Sequence, residues 1–354
     1  MNRSKRIRLV AVVLVLGTIA FYGYRRWSGT GNGLSGELLA NMPADASAVL
    51  YADLAGLRQS PFLAELYRWA PQPPADAEYE KFVQDTGFNY ERDLDRVAVA
   101  VLKNGQDSTL FAMAEGRFDR KKISAYVSRS GKRENRAGRE IFSVPVSGSA
   151  RRISFTFLRN DRIALTDDAN LGLFLPESHK DADTQAWRAR FVRLAGSPVF
   201  AVVRQDAATS AALAAQAPGG IRSPQLSALL GQLQWITIAG KPDGERLRVV
   251  LEGESTADAT MRQLSDLMNG VLVLAQAGLS DPKMRQQLEP PVREAYLEML
   301  KSADVSRIDR GETKSVRLIF DLTPKFLEAA RTAAPVMPAA PPSKPPSSKS
   351  PPRK

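Results

Sequence analysis

The sequence contains no cysteine. Disulfides, thiolate metal sites and a cysteine nucleophile are therefore excluded. It contains one histidine, His179, so no zinc site built from several histidines can form within one chain. A Ser-His-Asp arrangement has only that residue to use. His179 lies between Ser178 and Lys180 in a polar link and reads as exposed and idle. Walker A, GxSxG and HExxH patterns are all missing. One literal GxGxxG occurs at Gly31, Gly33 and Gly36, without the preceding strand and surrounding βαβ unit that a dinucleotide site needs. Aspartates pair at Asp93/Asp95, Asp167/Asp168 and Asp181/Asp183. An i, i+2 pair on one strand face suits a hard cation, but no EF-hand pattern accompanies them and turns attract aspartate. No cofactor and no metal are expected.

The net charge of +11 is unevenly placed. Residues 1–26 hold six basic and no acidic side chains, and residues 335–354 hold four and none. The ends thus carry ten of the excess positive charges and the body is close to neutral. The footprint of a nucleic-acid-binding domain is absent. The densest basic stretch in the body is Arg120 to Arg139, with Arg120, Lys121, Lys122, Arg129, Lys132, Arg133, Arg136 and Arg139. It is the candidate binding face, toward anionic lipid at about 1 kcal/mol per charge. The alternative is a solvated helix and loop.

What is present in quantity at the start is apolar. Leu9 to Tyr24, LVAVVLVLGTIAFYGY, carries no charge, with Arg3, Lys5, Arg6 and Arg8 before it and Arg25, Arg26 and Trp27 after it. A helix satisfies its backbone internally and presents apolar side chains to lipid. Counted to Trp27 it is about 28 Å long at about 1.5 Å per residue, close to a hydrocarbon core of about 30 Å. Residues 9–27 read as a single-pass transmembrane anchor, with the basic segment 1–8 in the cytoplasm and the body outside it. A signal peptide cleaved near Thr18-Ile19-Ala20 is the rival reading. Residues 28–36, SGTGNGLSG, form a flexible linker with a reach of about 16 Å. The tail 335–354 is proline-rich and basic, an extended disordered arm.

Between linker and tail the fold class is α+β, as two tandem repeats with mainly antiparallel sheets: 37–183 and 184–334. Ala46 to Asp53 is apolar on both faces and predicts a central strand. Asn104-Gly105 and Asp243-Gly244 are hairpin signals. LDRVAVA at Leu94 to Ala100 matches LQWITIA at Leu233 to Ala239. Trp187, Phe191 and Leu194 share a helix face, and Asp119 caps an earlier helix with Ile123, Tyr126 and Val127 on its inner face. Asp167 to Leu175 predicts a short helix, Ser255 with Asp258 a capping box, and Pro282 to Lys301 a helix with Pro290-Pro291 inside it. The run Gly270 to Leu279 is too short to span a bilayer and predicts a buried helix side or one wall of a groove between the repeats.

The opening MPADASAVLYADLAGLRQSPFLAEL, followed by GFNYERDLDRVAVAV, resembles a group of uncharacterised bacterial exported or membrane-anchored proteins. These share a P-A-D-…-Y-x-D-L-…-L-x-x-S-P start and a later G-…-D-x-D-x-V strand entry. The resemblance spans about the first third of the body and implies an envelope location, with no active-site residue to transfer. The chain thus reads as a non-enzymatic, membrane-anchored extracytoplasmic binding or scaffolding protein. Its partners are the membrane, through the anchor, and an envelope protein or anionic lipid, with no nucleic acid. The second reading is a lipid- or hydrophobe-binding module with a groove between the repeats. The third is a carboxylate-based hydrolase.

Overall fold

A computed structural model describes residues 35–64, 77–104, 107–136, 138–145, 152–175, 183–205, 228–281 and 289–333. The proposed anchor 9–27, His179, Gly31, Gly33, Asp181 and the tail lie outside the described residues. Among the described residues, no helix is long and apolar enough to cross a membrane.

The apolar, β-branched segments pair edge to edge into one twelve-stranded antiparallel sheet. Strand β1 (Ala48–Asp53) is interior, as its two-sided apolar character requires. It pairs with β2 (Leu94–Asn104) on one side and β8 (Val199–Arg204) on the other. Outward from β2 come β3 (Asp107–Gly116), β7 (Arg162–Thr166), β6 (Arg152–Arg159), β5 (Arg139–Pro145) and β4 (Lys132–Arg136). Outward from β8 come β9 (Trp235–Asp243), β10 (Arg246–Ser255), β12 (Thr313–Leu322) and β11 (Asp304–Arg310). The strands of both expected repeats lie in one continuous sheet, joined where β1 and β8 meet with Tyr51 opposite Phe200.

The helices are α1 (Ser35–Ala40), α2 (Leu54–Leu57), α3 (Ala77–Thr86), α4 (Tyr90–Asp93), α5 (Arg120–Ser130), α6 (Gln185–Arg193), α7 (Asp258–Ser280), α8 (Pro290–Ser302) and α9 (Pro324–Ala333). Alternation along the strands divides them between two faces. One face carries Val49, Tyr51, Ala98, Phe111 and Val202 into a core closed by Leu38 and Leu39 of α1 and Trp187 and Phe191 of α6. Leu194 joins that core, so the predicted helix face is confirmed. The opposite face packs Leu94 and Ala114 against Leu54 and Leu57 of α2. Farther out, α5 covers Phe142 and Phe157, and Met261 and Leu264 of α7 cover Val316.

Several local expectations change. Ser35 and Gly36 open α1, so the linker ends sooner than Gly36. Lys132 to Arg136 is an edge strand, fully exposed and densely charged, which keeps its free edge from pairing with another chain. Asp167 to Leu175 holds only a 3₁₀ turn at Leu171–Phe174. The Ser255 capping box does not form, because Ala257 precedes the helix and Ser255 Oγ accepts from Ala257 N–H at 3.2 Å instead. Pro290 and Pro291 start α8 rather than interrupt it, as suits residues without an N–H. The apolar run Gly270 to Leu279 is not buried: Val271, Val273 and Leu274 are exposed on the second half of α7. It walls no groove.

Candidate functional site

An open cleft of about 790 Å³ lies at the seam of the sheet. Its apolar floor is Tyr51 on β1 and Phe200 on β8, stacked with ring centroids 5.1 Å apart. Phe191, with its ring 6.0 Å from Phe200, and Leu194 form a wall from the end of α6. Leu39 and Ala40 of α1 line it too, as does the β9–β10 hairpin through Lys241, Pro242 and Gly244. Gly196, with φ of +87°, turns the chain from α6 into β8 and lies on the lining. That left-handed turn is cheap for glycine, and the exposed Val192 of α6 also lines the cleft.

Four charged residues line the cleft: Asp53, Arg96, Arg188 and Lys241. Two are committed to the fold. Asp53 Oδ1 accepts from Gly56 N–H at 2.9 Å and so caps α2. Arg96 is buried and donates to Glu115 at 3.2 Å. Glu115 also accepts from Arg162 Nε at 3.0 Å, and Arg162 reaches Glu37 at 2.5 Å, which Arg159 holds at 2.6 Å. Burial opposes the Arg162 charge, but Glu37 and Glu115 prevail and raise its pKa. Those two arginines together hold the Glu37 carboxyl below the usual carboxylate range. Arg188 and Lys241 are exposed, and neither is in an ion pair among the described residues. The cleft therefore offers an apolar floor and two uncommitted cations.

A second buried charge cluster fixes α6 in place. Glu254 on β10 is fully buried and accepts from Arg190 at 2.6 Å and from Arg193. The Arg190 guanidinium sits 3.9 Å over the ring of Trp235, which meets Trp187 edge-on at 4.9 Å. Burial lowers the Arg190 pKa, against the pull of Glu254. Glu252, two residues away on the same strand face, is held by Arg310 at 2.6 Å and Arg317 at 2.8 Å. Burial raises its carboxyl pKa, but the two arginines outweigh that and leave it lowered. None of these pairs is apparent in the sequence, where the partners are 58 to 65 residues apart. The available signal is an acid on the apolar face of a strand, which demands a buried partner.

The predicted basic face is dispersed. Arg120, Lys121, Lys122 and Arg129 lie on α5, Lys132, Arg133 and Arg136 on β4, and Arg139 begins β5. Arg120 and Arg133 share Glu140, Arg129 pairs with Asp85 at 3.0 Å, Arg136 with Glu134 at 3.0 Å and Lys122 with Asp119 at 3.7 Å. Local acids thus offset much of the charge. The paired aspartates are structural: Asp93 accepts from Asn89 N–H at 2.9 Å and binds Arg92 and Arg117, while Asp167 accepts from Leu110 N–H at 2.7 Å. Asp95 pairs with Arg58 at 3.3 Å, and Asp168 and Asp183 accept from backbone N–H groups two residues on. Among the described residues no cluster of acids and histidine has metal-binding geometry.

No protein-family model matches the sequence. No curated protein matches it either. Solved structures of the Treponema protein TP0453 are similar in fold. Crystal form I matches with a TM-score of 0.43 at 9% identity, over 86% of this chain and 99% of that one. Crystal form III matches with a TM-score of 0.45 at 12% identity, over 84% and 98%.

Proposed function

We propose that the chain is a non-enzymatic binding protein of the bacterial envelope, held at the membrane by residues 9–27, whose seam cleft takes an apolar ligand. The observation that carries the reading is the cleft itself. A concave site of about 790 Å³ with an aromatic floor falls within the size range of small-molecule pockets, about 300–1,000 Å³. We place the ligand groove at the junction of β1 and β8; Gly270 to Leu279, the wall expected from the sequence, does not line this cleft. The envelope location rests on the anchor reading and on the resemblance of the opening to exported and membrane-anchored proteins. The scaffolding reading shares the location, but no described surface favours it over the cleft.

The reading of two repeats draws support from strand register. Leu50 and Ala201 face each other, and their outer neighbours are Val99 and Ile238. Three residues before each of these stand Arg96 and Trp235, paired with the buried acids Glu115 and Glu254. The matched stretches LDRVAVA and LQWITIA thus occupy corresponding places about the seam.

The test uses the full chain in nanodiscs and a long-chain alcohol carrying a diazirine. Irradiation followed by peptide mass spectrometry is expected to place the label on peptides containing Tyr51, Phe191 or Phe200. Label confined to residues 9–27, or spread evenly over the body, refutes the reading.

A further inference from the structure

We infer that the ligand of the cleft is a single-chain amphiphile with an anionic headgroup, such as a long-chain carboxylate, clasped by Arg188 and Lys241. The inference rests on the hydrophobe-binding reading above and adds the headgroup chemistry. Of the charged groups on the lining, Asp53 is occupied as the cap of α2 and Arg96 is neutralised by Glu115. The remaining pair, Arg188 and Lys241, is cationic and uncommitted among the described residues. Both are exposed and hydrated, and an anionic headgroup beside them gains charge-assisted contacts that a neutral hydrophobe does not. Arg188 is on α6 and Lys241 on the β9–β10 hairpin, so the two lining cations come from separate elements.

The division of labour follows from burial. Tyr51 and Phe200 are buried in the floor and Phe191 in the wall, so the alkyl chain meets rings while the charged end stays at the wet edge. Arg162 and Glu37 cannot compete for the headgroup, because they are engaged with each other and with Glu115 and Arg159. A dianion or a zwitterion fits less well than a monoanion: the nearby Asp53 repels excess negative charge, and no second acid on the lining is free to hold a choline-type cation.

The experiment compares diazirine-labelled fatty acid with the diazirine alcohol of equal length on the full chain in nanodiscs of zwitterionic lipid. The acid is expected to label cleft peptides about five- to tenfold more than the alcohol, the scale of one or two charge-assisted contacts at a partly wet site. In the Arg188→Gln/Lys241→Gln variant, the acid-to-alcohol labelling ratio is expected to fall to about one. Both positions are exposed, and an unchanged tryptophan emission spectrum reports that the variant keeps its fold. Equal labelling by acid and alcohol in the parent chain overturns the anionic headgroup and leaves the hydrophobe reading standing. Failure of both probes to label the cleft overturns both. Acid labelling that survives the double substitution overturns the assignment to these two residues.

Discussion

Glu254→Gln removes one negative charge and almost no volume from the most enclosed acid among the described residues. The side chain is 1% exposed, its partner Arg190 9% and Arg193 27%. Removing one member of a buried pair strands the other and costs about 3–5 kcal/mol. Glutamine keeps one acceptor oxygen, and Arg193 can turn to water, so a loss of about 2–3 kcal/mol is expected. Folded domains have only about 5–15 kcal/mol in total, so the loss is large enough to measure. The assay is urea unfolding of the full chain in nanodiscs, followed by tryptophan fluorescence. Trp187 and Trp235, two of the four tryptophans, pack at this pair, so the signal reports on the right place. Arg190→Met and the Arg190→Met/Glu254→Gln double variant complete a cycle. The double variant should lose at least about 1 kcal/mol less than the two single losses combined, because the second substitution removes a group already stranded. Losses below about 0.5 kcal/mol that simply add would refute the claim that this pair anchors α6 to the second half of the sheet.

Other outcomes follow from single contacts. A Cβ on Gly116 would meet Asp93 O at 2.2 Å, so Gly116→Ala should destabilise by about 2–3 kcal/mol in the same urea assay. Glu252 has a lowered carboxyl pKa in the fold, so its contribution is complete above the unfolded value of about 4.3 and is lost as pH falls through the folded one. Urea titrations at stepped pH should therefore show the stability gap between the parent chain and Glu252→Gln closing below about pH 4; a constant gap contradicts the linkage. Leu274 is exposed on α7, so Leu274→Gln should change stability by no more than about 0.5 kcal/mol, whereas Leu264→Ala, in the buried half, should cost about 2–4 kcal/mol by the same measurement.

Local physics made much of the sheet legible. AVLYAD had to be interior because neither face is polar, and the Asp243-Gly244 turn had to close a hairpin. The capping role of Asp119, donated to by Lys122 N–H at 3.1 Å, was equally local. The edge strand KRENR was not legible, since its charged residues answer to the solvated sheet edge and to Glu140 rather than to any internal period. The second half of α7 misleads for the opposite reason: GVLVLAQAGL has core composition, and only tertiary contacts decide whether a core is beside it. The cleft was not legible: the one groove wall the sequence suggested, Gly270 to Leu279, does not line it. Tyr51 and Phe200 become neighbours only through the β1–β8 register, and Lys241 joins Arg188 only after the β9–β10 hairpin is placed.

The account stands most directly on what occupies the seam cleft. Native mass spectrometry of the full chain, released from nanodiscs containing bacterial envelope lipid extract, tests it. The expected spectrum contains a one-to-one adduct with the mass of a single-chain anionic amphiphile, absent from the Arg188→Gln/Lys241→Gln variant. A bare chain, or an adduct that persists in that variant, would contradict it.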